Sequence, residues 1–101
     1  MNNKLKELNV EFLFSAILQL ETMEECYAFF EDLCTIPELK ALSQRIQVAK
    51  MLSDHKVYSE IVEKTGASTA TISRVNRSLQ YGVNGYDVIF ERLGKTEDDE
   101  L

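Results

Sequence analysis

The chain has 101 residues, of which 45% are hydrophobic and 28% charged, a composition that indicates one folded domain and excludes a wholly disordered protein. No apolar run approaches the roughly 20 residues of a membrane span, and no signal peptide is recognisable, so we expect a cytoplasmic protein. Since there is one histidine and no CxxC pair, we expect no metal site and interpret Cys26 and Cys34 as apolar thiols.

The net charge of −6 is distributed unevenly along the chain. Residues 1–35 carry two lysines against seven acidic residues, whereas residues 56–81 carry four basic residues against two acidic ones. An acidic body weakens nonspecific attraction to phosphate, but a local excess of positive charge is compatible with a DNA footprint. The acidic residues 95–101 predict a disordered tail.

Three amphipathic, dimerising helices are predicted within residues 5–53. The first covers Leu5–Leu20, and the second and third begin at the capping-box patterns Thr22–Glu25 and Thr35–Glu38. Their apolar stripes, at steps of three and four, indicate a core or a dimer interface, and we find no cluster of catalytic groups, so we expect no enzyme. The stripes comprise Leu5, Leu8, Phe12, Leu13, Ala16, Ile17 and Leu20; Met23, Cys26, Tyr27, Phe30, Leu33 and Cys34; and Leu39, Leu42, Ile46, Ala49 and Leu52.

Residues 57–81 predict two helices joined by a short turn. The first, Tyr58–Thr65, is expected to end at Gly66, and Ser68 is expected to cap a second helix, Thr69–Tyr81, that ends at Gly82. Two helices joined by a three- to four-residue turn containing glycine match the helix-turn-helix pattern. Its inner angle is predicted to consist of Ile61, Ala67, Ile72 and Val75.

The outer face of the second helix is predicted to carry Thr69, Ala70, Thr71, Ser73, Arg74 and Arg77. Short polar side chains near a helix N-terminus allow the backbone to approach DNA, and arginine reaches phosphate or guanine. The plainer interpretation is a helical hairpin whose Ser/Thr face is merely solvated.

The sequence Thr35-Ile-Pro-Glu-Leu-Lys-Ala-Leu-Ser-Gln-Arg-Ile46, the sequence Gly66-Ala-Ser-Thr-Ala-Thr-Ile-Ser-Arg74 and the pair Ser78-Leu79 carry a family resemblance. Over residues 35–93 the chain resembles the Trp repressor superfamily, and within it the TrpR-like YerC/YecD group. The resemblance implies an all-α fold of about six helices per chain and an intertwined homodimer. It also implies repressor-like binding to a two-fold-symmetric operator, and a closing helix over 85–93 whose Val88, Ile89 and Leu93 pack on the partner.

The resemblance also implies site residues. It places DNA contacts at Tyr58, Ser59, Gly66, Ser68, Thr69, Ala70, Thr71 and Ser73, to which the outer-face pattern adds Arg74 and Arg77. In tryptophan-responsive members the residues matching Thr35, Arg45, Arg74 and Ser78 form the corepressor pocket.

Two positions depart from the family pattern. Val75 stands where those members have a glycine against the bound ring, and Gln80 stands where the repressor has a lysine able to reach phosphate. A branched side chain at position 75 should fill the space of the ring. The sequence therefore favours a protein without a cofactor, with L-tryptophan or another small effector as the alternative.

From these observations we predict a sequence-specific transcriptional regulator, a repressor, that binds double-stranded DNA as a homodimer. The alternative is a helical protein-interaction module that retains the fold without DNA binding, as the net charge of −6 suggests.

Overall fold

The computed structural model describes the backbone of residues 3–100 and the side chains of residues 4–94. Within this range the regular structure is entirely helical, which confirms the all-α prediction, and no helix is both long and apolar enough to cross a membrane. The chain divides into two units, Met1–Leu39 and Lys40–Leu101. The helices of the described range are α1 (Asn3–Glu7), α2 (Glu11–Ile17), α3 (Met23–Leu33), α4 (Ile36–Ser53), α5 (Tyr58–Thr65), α6 (Thr69–Tyr81) and α7 (Gly85–Glu100).

The first predicted helix, Leu5–Leu20, is wrong in its continuity. The chain forms α1 and α2 instead, and between them Asn9 adopts a left-handed conformation with φ of 60°. Asparagine is one of the few residues that visits this region readily, and a right-handed helix cannot continue through it. The apolar periodicity of the segment carries no information about such a break.

Of the two predicted capping boxes, both in the first unit, the one at α4 is complete, whereas at α3 the Glu25 carboxylate accepts the N–H of Glu21, at 2.8 Å, in place of that of Thr22. Thr22 caps α3 through its hydroxyl oxygen, which accepts the Glu25 N–H at 3.1 Å. Thr35 and Glu38 bond reciprocally at the start of α4: the Glu38 N–H donates to Thr35 Oγ1 at 3.2 Å, and the Thr35 N–H donates to Glu38 Oε1 at 2.8 Å. These bonds satisfy N–H groups that a helix start leaves without intrahelical partners.

The buried core lies in the second unit. It consists of Val48, Ala49, Ile61, Ala67, Ile72 and Val75, and none of residues 4–39 is buried. Of the predicted α4 stripe, Ala49 is buried in this core, whereas Leu42 and Ile46 are exposed and stay candidates for the predicted dimer interface; Val48, outside the stripe, is fully buried. Apolar residues on adjacent faces of α4 allow either face to pack inward, and the spacing alone does not choose between them.

Helix α7 closes the second unit. Tyr86 and Phe90 stack on each other with ring centroids 5.9 Å apart and pack against the core. The helix continues to Glu100, so the predicted span of 85–93 is too short. Gly94 weakens a helix without ending it, and residues 95–100 contain no proline or glycine. The side chains of residues 95–101, predicted as a disordered tail, lie outside the described residues.

Candidate nucleic-acid interface

The turn between α5 and α6 depends on the conformation of Gly66. Its φ of 72° is left-handed, and its N–H donates to the Val62 carbonyl at 2.9 Å, which ends α5. A Cβ built on Gly66 would meet open space. Glycine is therefore favoured here by backbone conformation and not by crowding. The predicted ends of α5 and α6 agree with those of the structure.

Side chains fix the geometry of this turn. The Thr65 hydroxyl donates to the Ile61 carbonyl at 2.7 Å and accepts the Ala67 N–H at 3.1 Å. The Gln44 side-chain amide donates to the Thr65 carbonyl at 3.1 Å and so ties the turn to α4. None of these three bonds is predicted from the sequence, and the bond from Gln44, 21 residues away from Thr65, has no local signal.

The N-terminus of α6 is capped by Ser68. Its hydroxyl oxygen accepts the Thr71 N–H at 3.1 Å and donates to Thr71 Oγ1 at 3.1 Å. Both hydroxyls had been predicted to contact DNA. In the structure they are bonded to each other, and Thr71 is half-buried. Ser68 and Thr69 are exposed at the start of α6, and Thr71 accepts in this bond, which does not involve its own O–H proton.

The four residues predicted for the inner angle are all buried. Ile61 and Ile72 are fully buried, and Ala67 and Val75 are nearly so, together with Val48 and Ala49 of α4. Their burial confirms the interpretation of the inner angle, and it determines which face of α6 is turned toward the core. The opposite face of the helix is consequently directed to solvent.

The outer face of α6 forms a shallow cleft of about 210 Å³ lined by Ala70, Ser73, Arg74 and Arg77. All four are exposed, and α6 contains no acidic residue. Neither guanidinium forms an ion pair with the side chains of residues 4–94, whereas Lys50 and Lys64 are each paired with an acid four residues away, Asp54 and Glu60. This part of the molecule therefore presents positive charge that no described residue neutralises.

The remaining predicted contact residues flank this face along the chain. Tyr58 and Ser59 are exposed in the first turn of α5, and Gly66 is exposed in the turn. Hydroxyl groups and backbone N–H groups at such positions are typical donors to DNA phosphate oxygens.

The four residues of the predicted effector pocket form local contacts. Thr35, in the first unit, caps α4. In the second unit, Arg45 donates to the Ala41 carbonyl and the Ser78 hydroxyl donates to the Arg74 carbonyl, each at 3.4 Å, and the Arg74 side chain lines the outer cleft of α6. Each of the four residues therefore either bonds within or at the end of its own helix or lines the outer cleft of α6.

A second, more apolar groove of about 320 Å³ lies between α4 and α7. Lys50 stands 5.5 Å from the centroid of the Phe90 ring and forms a 3.2 Å ion pair with Asp54. The groove is lined by Ile46, Gln47, Lys50, Phe90, Leu93 and Gly94. The residues predicted to pack on a partner, Val88, Ile89 and Leu93, are exposed on α7.

Metal-ligating side chains do not cluster within residues 4–94, since no group of three or more His, Cys, Asp or Glu could hold an ion there. His55 has a left-handed φ of 64° and lies just beyond α4. Its N–H donates to the Leu52 carbonyl, and the Lys56 N–H donates to the Met51 carbonyl, each at 3.0 Å. This pair of bonds is a Schellman motif, so His55 ends a helix.

A packed inner angle, a glycine turn and an exposed cationic outer helix define a helix-turn-helix domain of the kind that binds DNA. The Trp repressor protein family matches residues 8–94, and the chain belongs to this family of DNA-binding transcription regulators.

Three proteins illustrate the relationship. YerC of Bacillus subtilis is 50% identical over 95 residues, which is 94% of this chain and 91% of that protein. The crystal structure of a TrpR-like protein from Eubacterium eligens superposes with a TM-score of 0.87 at 67% identity, covering 92% of this chain and 96% of the other. The crystal structure of a protein from Staphylococcus aureus, described as a Trp repressor, superposes with a TM-score of 0.86 at 53% identity. The match covers 91% of this chain and 92% of the other.

Proposed function

We propose that this protein is a cytoplasmic, sequence-specific repressor that binds a two-fold-symmetric DNA operator as a homodimer. The observation that carries the proposal is the outer face of α6, where Arg74 and Arg77 are exposed and without ion pairs among the described residues. Since the inner face of the same helix is buried, α6 is held rigidly with this cationic face outward. A helix presented in this way fits the major groove.

Homodimerisation is proposed from the apolar surface of the first unit. None of residues 4–39 is buried, and Phe12, Leu18 and Ile36 are 87%, 80% and 82% exposed. Apolar surface of this extent is costly in water and is typical of an interface. A second copy would cover it, and the resulting two-fold symmetry would present two α6 helices to two half-sites.

A single experiment tests DNA binding. The dimer is titrated into fluorescent duplexes, one from the DNA upstream of its own gene and one scrambled, over a series of salt concentrations. We expect tighter binding to the upstream duplex and a log Kd that depends steeply on log salt concentration, because phosphate contacts release counterions. Equal, weak binding to both duplexes would instead favour the protein-interaction module.

A matched pair of variants ties the binding to α6. Ala70→Glu puts an acid into the outer cleft, and Ala41→Glu puts the same charge at an exposed alanine of α4. We expect the first to abolish DNA binding and the second to retain it, both remaining dimeric by sedimentation. Repression itself is tested by deleting the gene: transcription from the bound promoter should rise, and a fall would identify an activator.

A further inference from the structure

The cleft on α6 is built from four residues at helical steps of three and four. Ala70, Ser73, Arg74 and Arg77 lie on one face, with the two small side chains between the two long cationic ones and the N-terminus. The small side chains leave the space of about 210 Å³ open. Two guanidiniums and a hydroxyl therefore border a common concave surface.

The charge of this cleft has no counterpart nearby on its own helix. Helix α6 has no acidic residue, and neither arginine is paired with a described side chain. By contrast, Lys50 meets Asp54 at 3.2 Å and Lys64 meets Glu60 at 3.8 Å. An anion entering the cleft would therefore gain contacts with the arginines without displacing a carboxylate.

The position of Arg77 along the helix indicates which anion this is. Eight residues separate Thr69 from Arg77, or about 12 Å at 1.5 Å per residue, which equals the width of the major groove. The groove is only about 8.5 Å deep, so when the first turn of α6 reaches the bases, Arg77 lies beyond that depth and closer to the backbone phosphates than to the same bases. Arginine binds phosphate oxygens with two N–H groups, and a hydroxyl adds a further donor.

We infer that this cleft binds one backbone phosphate of the DNA in each protomer, with Arg74 and Arg77 as its ligands and the Ser73 hydroxyl as a donor. The inference rests on the proposed function and assigns different contributions to different residues of α6. Arg74 and Arg77 supply affinity that is independent of sequence, whereas the exposed first-turn residues Thr69 and Ala70 supply sequence preference.

The test measures salt dependence and specificity together. The double variant Arg74→Gln/Arg77→Gln is compared with Lys6→Gln/Lys40→Gln, which removes the same number of charges from exposed positions on other helices. For a dimer the loss of two phosphate contacts should reduce the slope of log Kd against log salt concentration by about 1.8. Binding to the upstream and the scrambled duplex should weaken by the same factor. The lysine control should change neither the salt slope nor the ratio of the two Kd values.

The opposite pattern overturns the inference. If the arginine variant loses discrimination between the duplexes while its salt slope stays unchanged, Arg74 and Arg77 contact base edges. If its slope falls no further than that of the lysine control, the cleft does not bind phosphate. A wild-type protein that binds neither duplex contradicts the proposed function itself.

Neutral methylphosphonate linkages, introduced one at a time into the upstream duplex, locate the phosphate. We expect one position in each half-site at which the substitution weakens wild-type binding and leaves binding of the arginine variant unchanged. Equal sensitivity of the two proteins at every position would overturn the assignment. Thermal unfolding of the free variant should match the wild type, because both arginines are exposed.

Discussion

The side-chain amide of Gln44 donates a hydrogen bond of 3.1 Å to the backbone carbonyl of Thr65, 21 residues further along the chain. Thr65 is the last residue of α5, so this bond holds the start of the turn against α4. Carbonyls at the end of a helix have no intrahelical donor, and this one lies in a partly buried environment. Gln44 thus supplies a hydrogen-bond donor to a carbonyl that water reaches only in part.

Replacing Gln44 by alanine should lower the free energy of unfolding by about 1 to 2 kcal/mol, because the Thr65 carbonyl loses its partner. The measurement is urea unfolding at a fixed protomer concentration, since dimer stability depends on concentration. Gln80→Ala, at an exposed position of α6, is the matched control and should stay within about 0.5 kcal/mol of the wild type. Equal losses in the two variants would show that the Gln44 bond contributes nothing.

Ser68→Ala should also destabilise the free protein, by about 1 kcal/mol. The variant leaves the Thr71 N–H without its acceptor at the start of α6 and removes the donor to the Thr71 hydroxyl. Ser59→Ala is the control, because the Ser59 side chain is exposed and forms no hydrogen bond with a described residue. Helicity and the unfolding midpoint should fall for position 68 alone, and unchanged stability there would contradict the capping role.

The capping box of α4 makes stability depend on pH. The N–H and hydroxyl of Thr35 at the Glu38 carboxylate lower the pKa of Glu38 from its ordinary value of 4.5. Because the folded-state pKa is the lower one, this stabilisation is complete above the unfolded pKa and is lost as the pH falls through the folded pKa. The variant Glu38→Gln keeps an oxygen acceptor that does not titrate.

Thermal unfolding from pH 7 down to about pH 3 compares the two proteins. The wild type should lose stability relative to Glu38→Gln only in the acid range, below about pH 4.5. A difference in unfolding midpoint that stays constant over the whole range would contradict the role of this carboxylate.

The sequence predicts α5 and α6 accurately because their signals are local. Gly66 ends one helix, Ser68 caps the next, and the spacing of Ile61, Ile72 and Val75 identifies the buried face. Neighbouring residues decide each of these features.

Features that depend on packing were not predictable in the same way. The burial of Val48 and the bond from Gln44 to Thr65 each depend on which surfaces meet in three dimensions, whereas the break at Asn9 is a local left-handed conformation that apolar periodicity does not reveal. The outer face of α6 was predicted as a set of six DNA-contacting residues. The sequence could not show that the Thr71 hydroxyl accepts a hydrogen bond from Ser68, or that Ala70, Ser73, Arg74 and Arg77 share one cleft.

The burial of Val75 leads to a prediction about effectors. Its side chain is 3% exposed and packs in the core with Ile61 and Ile72. The space beside the helix at this position is therefore filled by the protein itself, and the Arg74 side chain lines the outer cleft. We expect saturating L-tryptophan to leave the Kd for the upstream duplex unchanged.

The measurement is the same DNA titration with and without L-tryptophan, supported by calorimetry of the free protein with the amino acid. Val75→Ala should cost about 2 kcal/mol of stability through the two buried methyl groups it removes, whereas Val83→Ala, at an exposed position, should cost almost nothing. A wild-type affinity for DNA that rises with L-tryptophan would contradict the prediction, because the ligand must then bind the DNA-competent state more tightly than the other state.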